Sequence, residues 1–139
     1  MTANVFHKKC DNKGETITLI KNEKGNIFGG YASIPWTDDD SYHSAPESFL
    51  FTLTNIHGTD PTKFPSKNDQ QEVGHHPSYG PVFGDGNDLG IYLDFKEGGW
   101  SDFPITYQDN LRKGKSIFTG DLNNNPRFKI KEIEIFKII

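Results

Sequence analysis

The residues with the clearest potential for chemistry form an acidic turn, Asp85-Gly86-Asn87-Asp88, whose oxygens could bind a hard cation. A calcium-binding EF-hand loop also needs an oxygen ligand at its fifth position and a bidentate glutamate at its twelfth. Here those positions hold Leu89 and Lys96, so the EF-hand is excluded. We interpret the segment as a β-turn in which the Asp and Asn side chains accept hydrogen bonds from their own backbone.

Other possible metal ligands are scattered along the chain. Asp38-Asp39-Asp40 could gather a cation together with Glu47, but a run of like charges is usually a solvated loop. The histidines lack the helical i, i+4 pairing of zinc proteases, and there is no cysteine pair for a structural zinc site. They are His7, His43, His57, His75 and His76. We interpret His75-His76 as packing elements of a loop, and we predict no metal and no other cofactor.

Nucleophilic chemistry has two possible sources. Cys10, the only cysteine, follows Lys8-Lys9, which could lower its pKa slightly, but we favour a partly buried, inert thiol. A single thiol fits a reducing compartment. A carboxylate pair of Glu47 with Glu132 or Glu134 could in principle support hydrolysis. The sequence contains no nucleophile elbow, Walker loop or dinucleotide fingerprint.

These side chains must be positioned by β-strands, and the central strand is predicted within residues 26–36. Gly29-Gly30 in its middle usually mark a bulge, a bend or a close approach of backbones. Because Pro35 cannot donate a hydrogen bond to a neighbouring strand, the strand should stop at Ile34. The expected core anchors are Phe28, Tyr31 and Trp36.

Further strands are predicted where apolar residues alternate or run together. They cover residues 16–21, 48–55, 63–64, 89–95 and 128–139. Residues 22–25 should close a hairpin between the first two strands. In the last strand the apolar residues change face, which predicts a bulge near Lys131-Glu132 or burial of both faces at its end. Residues 1–14 show little apolar periodicity, and no long amphipathic helix is predicted.

Composition limits the class of protein. A chain of 139 residues predicts one domain, and its 14 Gly and 8 Pro favour short strands over a helix bundle. A net charge of −4 disfavours sequence-independent binding of nucleic acid. No signal-peptide pattern and no run of about 20 apolar residues is present, so we expect a cytoplasmic protein without membrane insertion.

Several short motifs, taken in order, resemble the TLDc domain of the oxidation-resistance proteins. They run from Phe6 to the C-terminus and comprise Phe6-His7 with Cys10-Asp11, Ile27 to Tyr31 with Trp36, Glu47 to Leu53, Gly80 to Gly86 with Asp88 to Ile91, Phe118-Thr119-Gly120, and Glu132 to Phe136. Each motif is short, and their shared order makes the resemblance specific.

The resemblance implies a mainly β fold, a two-sheet antiparallel β-sandwich with a few short peripheral helices. It brings no established catalytic mechanism. Family members are linked to protection against oxidative stress and, in several cases, to binding and regulation of the vacuolar-type proton ATPase. We therefore expect a single TLDc-like domain at residues 1–139 that lacks the family's N-terminal helical segment. We expect it to be a non-enzymatic protein-interaction module whose partner is a peripheral subunit of that pump.

Four acidic residues inside the matching motifs are predicted to contact the partner: Glu47, Asp85, Asp88 and Glu134. Each also has a structural interpretation. Glu47 could cap a strand end, Asp85 and Asp88 could stabilise their turn, and Glu134 could be an ordinary charge on a sheet face.

Two other functions remain open at this point. One is a hydrolase or peroxide-handling enzyme that uses a carboxylate pair or Cys10. The other is a small-ligand or carbohydrate-binding β-sandwich, suggested by Trp36, Trp100 and the tyrosines. The sequence makes no prediction of oligomeric state.

Overall fold

A computed structural model describes residues 1–92 and 94–139. The strands are β1 (Thr16–Asn22), β2 (Ile27–Ala32), β3 (Tyr42–His43), β4 (Phe49–Thr54), β5 (Thr62–Pro65), β6 (Val73–Gly74), β7 (Val82–Phe83), β8 (Leu89–Ile91), β9 (Gly99–Trp100), β10 (Arg127–Phe128) and β11 (Ile130–Lys137). Two short helices, α1 (Ala3–Cys10) and α2 (Ser116–Thr119), and a 3-10 turn at Phe95–Glu97 complete the fold.

The strands form two antiparallel sheets. One has five strands in the order β11-β1-β2-β4-β5, and the other has six in the order β10-β9-β8-β7-β6-β3. Large aromatic side chains fill the core, among them Phe28, Phe64, Phe83, Phe103 and Phe118. The predicted two-sheet antiparallel β-sandwich with short helices is confirmed. Within the described ranges, no helix is long and apolar enough to cross a membrane.

The two glycines of β2 allow close packing on both sides of the strand. A Cβ atom at Gly30 would lie 2.6 Å from the Phe83 ring in the core. A Cβ atom at Gly29 would collide with the carbonyl oxygen of Thr18 and lie 2.9 Å from the ring of Phe51. The predicted close approach is therefore confirmed, and any larger residue here would push the neighbours apart.

The predicted core anchors are only partly correct. Phe28 and Trp36 are fully buried, and the Trp36 indole N–H donates to Thr16 Oγ1 at 2.9 Å. Tyr31 is not in the core, because it follows the inward-facing Gly30 and so points to the opposite side of the sheet. There its ring lies 5.1 Å from that of Phe49.

The predicted last strand is in fact two strands in different sheets. Phe128 belongs to β10 of the six-stranded sheet, and the chain then crosses to β11 of the five-stranded sheet. The predicted bulge is confirmed: Lys21 pairs with Glu132 and Asn22 with Ile130, which leaves Lys131 as the extra residue. Phe136 is 47% exposed, so the end of the strand is not buried on both faces.

Several short elements lie in segments predicted as loops or left unassigned, namely α1, β3, β6, β7, β9 and α2. Helix α1 begins at an N-cap formed by Thr2, whose hydroxyl accepts the Val5 N–H at 3.3 Å, and it buries Phe6 and His7. Strands β3 and β6 pair through only two residues each, too few to produce a periodic pattern. The predicted strand 89–95 ends at Ile91, and Leu93 lies outside the described residues.

Candidate functional site

The outer face of the five-stranded sheet is largely apolar. Along β1, β2 and β4, buried side chains alternate with side chains that point away from the core and stay half-buried or exposed. Lys21 of β1 also points outward and is charged. We call the apolar outward residues, together with Phe136 of β11, the outer face. They are Ile17, Leu19, Ile27, Tyr31, Phe49, Phe51, Leu53 and Phe136.

Aromatic rings cluster on the β4 side of the outer face. The Phe49 ring lies between Tyr31 and Phe51, at 5.1 and 6.4 Å between centroids. Lys63 Nζ sits 4.5 Å from the centroid of the Phe49 ring, a cation–π contact. Leu53, 43% exposed, extends the cluster towards solvent. These contacts hold the rings against one another, and Tyr31, Phe49 and Phe51 all stay half-buried.

Charged groups stand at both edges of the outer face. One cross-strand row runs Glu134, Leu19, Gly29, Phe51 and Lys63, as the strand pairing shows. The row therefore carries an acid on the β11 edge, apolar groups in the middle and a base on the β5 edge. A partner must match both signs of charge, so the charges determine the direction in which it binds across the outer face.

Glu47 lies beside the outer face, at the start of β4. It is exposed in the turn before β4. Burial raises the pKa of the Tyr31 phenol, and the nearby carboxylates of Glu15 and Glu47 raise it further. The structure thus places two of the predicted contact residues, Glu47 and Glu134, around one surface. Their role in binding stays a prediction.

The other two predicted residues lie in the β7–β8 turn, away from the outer face. Asp85 is exposed, and its backbone N–H donates to Thr106 Oγ1 at 2.9 Å. Asp88 is fully buried. Any effect of Asp88 on a partner would therefore be indirect, through the shape of this loop.

The Asp88 carboxylate organises a neighbouring segment. It accepts the backbone N–H groups of Ile105, Thr106 and Tyr107 at 2.8–3.0 Å. Burial raises the pKa of this carboxyl, and the three N–H donors counter part of that rise. The turn interpretation needs correction here, since Asp88 bonds to residues 105–107 rather than to its own turn.

The groups considered for enzymatic chemistry are not brought together. Glu134 pairs with β1, and three strand spacings separate β11 from β4, beside which Glu47 lies. At about 4.8 Å per spacing this is about 14 Å, more than the carboxyl separation of glycosidases. Burial, and secondarily the Asp11 carboxylate, raise the pKa of Cys10, so the small lowering by Lys9 does not prevail. The favoured interpretation as a partly buried thiol agrees with this environment.

One aspartate and two histidines converge beside the edge strand β3. His43 Nε2 lies 2.7 Å from Asp39 Oδ2, and His75 Nδ1 lies 3.9 Å from Asp39 Oδ1. The two imidazole rings stack with centroids 4.2 Å apart. Burial, with a smaller contribution from His43, lowers the pKa of His75 to about 4, so this ring is neutral at pH 7. His75 also packs on Trp36, which confirms its predicted packing role.

The sequence model of the TLDc domain matches residues 1–139, the whole chain. This chain belongs to the TLDc domain family. A segment of 44 residues is also 36% identical to the MTOR-associated protein MEAK7 of Danio rerio. That segment covers 32% of this chain and 10% of the relative, so the likeness to MEAK7 is partial.

A second, half-buried aromatic group in this TLDc domain lies on the six-stranded sheet. Trp100 packs against Tyr92 and Tyr79, with ring centroids 4.6 and 5.4 Å apart. Arg127 lies 5.7 Å from the centroid of the Tyr92 ring. Space for the indole comes from Gly90, where a Cβ atom would lie 2.5 Å from it. Trp36, by contrast, is a core residue.

Sequence reasoning missed the apolar residues of the outer face. The continuous apolar run in residues 48–55 predicts a buried strand, but Phe49, Phe51 and Leu53 point away from the core and stay half-buried or exposed. The available signal was the position of the Gly29-Gly30 pair on the neighbouring strand, which removes side chains from both faces and leaves room for the Phe51 ring. Asp39 and His43 do stand at i, i+4, but the chain alone does not bring His75 to them.

Proposed function

We propose that this TLDc domain is a non-enzymatic protein-interaction module that binds its partner on the outer face. The observation that carries the proposal is the partly exposed apolar surface formed by half-buried Phe49 and Phe51 with exposed Leu53, which has Glu134 and Lys63 at its edges. An apolar sheet face with its rings held in place is suited to binding another protein.

The dimensions of the outer face fit this role. Five strands spaced by about 4.8 Å, each with about six residues at 3.3 Å, span roughly 20 Å in both directions, so the whole sheet face covers about 400 Å² and the outer face is the apolar part of it. Apolar patches of about 300–600 Å² are the largest on typical monomers and are often functional. Aromatic side chains, enriched at interfaces, make up half of the apolar set.

The charges around the outer face suggest which residues the partner presents to it. Glu132 and Glu134 line the β11 edge, and Glu47 borders the β4 end. A partner segment with apolar residues in its centre and basic residues towards those acids would match them. We propose that this segment belongs to a peripheral subunit of the vacuolar-type proton ATPase, a partner linked to the TLDc family. Such binding would take place in the cytoplasm and contribute to protection against oxidative stress.

The proposal includes no catalytic step. The raised pKa of Cys10 lowers its thiolate fraction, and the thiolate is the form that attacks peroxides. Three strand spacings, about 14 Å across the sheet, separate the strand of Glu134 from the strand beside which Glu47 lies. Both features favour a binding protein over a hydrolase or a peroxide-handling enzyme.

The test compares two matched variants in binding to the purified peripheral sector of the proton pump. Leu53 and Ile105 are both 43% exposed, but only Leu53 lies on the outer face. We expect Leu53→Glu to weaken binding at least about tenfold, the cost of about 1.4 kcal/mol at a partly buried contact. Ile105→Glu should bind like the wild type. Equal binding by both variants would contradict the assignment of the surface, and no binding by the wild type would contradict the assignment of the pump.

The Trp100 group favours one alternative, the binding of a small planar or carbohydrate ligand. A half-buried tryptophan flanked by tyrosines can stack on the apolar face of a sugar ring or on another flat ligand through its accessible part. A screen of oligosaccharides by tryptophan fluorescence tests it, with Trp100→Ala as the control. The wild type and the Trp100→Ala variant both contain Trp36. A change in tryptophan fluorescence that persists in the variant therefore does not come from the Trp100 group.

A further inference from the structure

We propose that Asp39, His43 and His75 form a binding site for a divalent first-row transition metal, Zn²⁺ being the ion that fits the ligand set best. One carboxylate oxygen and two imidazole nitrogens all lie within 4.8 Å of one another. Two imidazoles with one carboxylate form a recognised set of protein ligands for Zn²⁺.

Backbone hydrogen bonds bring these ligands together. In the β3–β6 ladder, Tyr42 pairs with Gly74 and His43 with Val73, so His43 and His75 are diagonal neighbours. The His75 N–H donates to the Ser41 carbonyl at 2.9 Å, and the Asp40 N–H donates to the His75 carbonyl at 2.8 Å. The loop that carries Asp39 is thereby fixed against the end of β6.

The ligand atoms need only small movements to surround an ion. At metal–ligand distances of about 2.0–2.1 Å, two ligand atoms of a tetrahedral site lie about 3.3 Å apart. The distances from Asp39 oxygens to His43 Nε2 and His75 Nδ1 are 2.7 and 3.9 Å. Asp39 and His43 have 45% and 34% of their side-chain surface exposed, so they can turn, while His75 is fixed by burial. Each of these two distances changes by less than about 1 Å, and the two imidazole nitrogens, which lie within 4.8 Å of each other, approach by up to about 1.5 Å.

The metal would replace the present hydrogen bonds. His75 Nδ1 is 2.7 Å from Thr37 Oγ1, and a metal on this nitrogen requires the Thr37 hydroxyl to turn away. The His43–Asp39 hydrogen bond would become two metal–ligand bonds. Ser41 Oγ, which donates to Asp39 Oδ1 at 2.9 Å, stays in place to orient the carboxylate.

Three protein ligands leave the fourth position of a tetrahedral ion free, next to the exposed Asp39 and the half-buried His43. A water molecule or a side chain of another protein could occupy it. A bound ion would also fasten residues 37–43 to β6, since its ligands come from both segments.

A neighbouring Asp–His pair provides a matched control. His76 Nε2 lies 3.7 Å from Asp40 Oδ1, and both side chains are exposed, at 44% and 69%. This pair has the same types of side chain and lies in the same two loops, but it is not part of the cluster of Asp39, His43 and His75. Unspecific binding of metal to surface histidines would affect it equally.

The experiment titrates Zn²⁺ alone into the purified full chain after treatment with a chelator, followed by calorimetry. We expect one Zn²⁺ per chain and a higher unfolding temperature in its presence. The double variant Asp39→Asn, His43→Asn should lose more than about 100-fold in affinity, since even outer-shell partners contribute 10–100-fold. The control Asp40→Asn, His76→Asn should bind like the wild type.

The proposal is wrong if the wild type binds no stoichiometric Zn²⁺, or if the two double variants bind it equally well. If the double variant Asp39→Asn, His43→Asn does not fold, imidazole ¹⁵N NMR of the wild type tests the site instead. Zn²⁺ must then shift the signals of His43 and His75 while leaving those of His76 in place, and a shift confined to His76 refutes the site.

Discussion

Replacement of Asp88 by alanine should destabilise the protein strongly although the residue touches no solvent. Its carboxylate accepts three backbone N–H groups at 2.8–3.0 Å. Ile105 is 43% exposed and its N–H can recover water, but Thr106 and Tyr107 are fully buried. Two buried donors without acceptors cost about 1–3 kcal/mol each, and removal of a buried charge offsets a part. We expect a loss of about 2–4 kcal/mol.

Urea unfolding followed by circular dichroism measures this loss, and Asp85→Ala is the matched control. Asp85 lies three residues away in the same turn but is exposed, and its backbone N–H, not its side chain, donates to Thr106. Its replacement should change the free energy of unfolding by less than about 0.5 kcal/mol. A loss below 1 kcal/mol in Asp88→Ala, or equal losses in both variants, would refute the structural role assigned to Asp88.

Three further predictions concern other parts of the molecule. Because His75 has a pKa of about 4, below the ordinary 6.5, the unfolded state takes up a proton first as the pH falls. Stability should therefore drop by roughly 3 kcal/mol from pH 7 to below pH 4 on account of this group, and an NMR titration midpoint of His75 near 6.5 would contradict this. Gly30→Ala should cost about 1–3 kcal/mol in urea unfolding because its Cβ would lie 2.6 Å from the Phe83 ring, and an unchanged midpoint would speak against that packing. Cys10 should react with iodoacetamide more slowly than free cysteine at pH 7, given its raised pKa, and a faster reaction would show an activated thiol.

The fold could be predicted from the sequence wherever strands are long enough to show a pattern. The alternation in residues 16–21 and the turn at 22–25 correctly predicted the β1–β2 hairpin. The change of apolar face near Lys131 correctly predicted the bulge. Strands of two residues, such as β3 and β6, have no periodicity, and only pairing across the sheet defines them.

The candidate site was less predictable, because it depends on which side of a sheet remains uncovered. Apolar residues on both faces of β4 have the same pattern whether the strand is buried or exposed on one side. Glu134 was selected from its motif and does lie at the outer face, whereas Asp88 was selected in the same way and is buried. The partners of Asp88 lie 17–19 residues further along the chain, beyond the reach of local patterns.

A photo-crosslinking amino acid at position 53 tests the central claim, that the outer face binds a protein partner, most directly. The same amino acid at position 105, equally exposed but outside the outer face, serves as the reference. The domain is mixed with the peripheral sector of the proton pump, irradiated and analysed by mass spectrometry. We predict covalent products between position 53 and one pump subunit, with few from position 105. Products from position 105 alone would contradict the account.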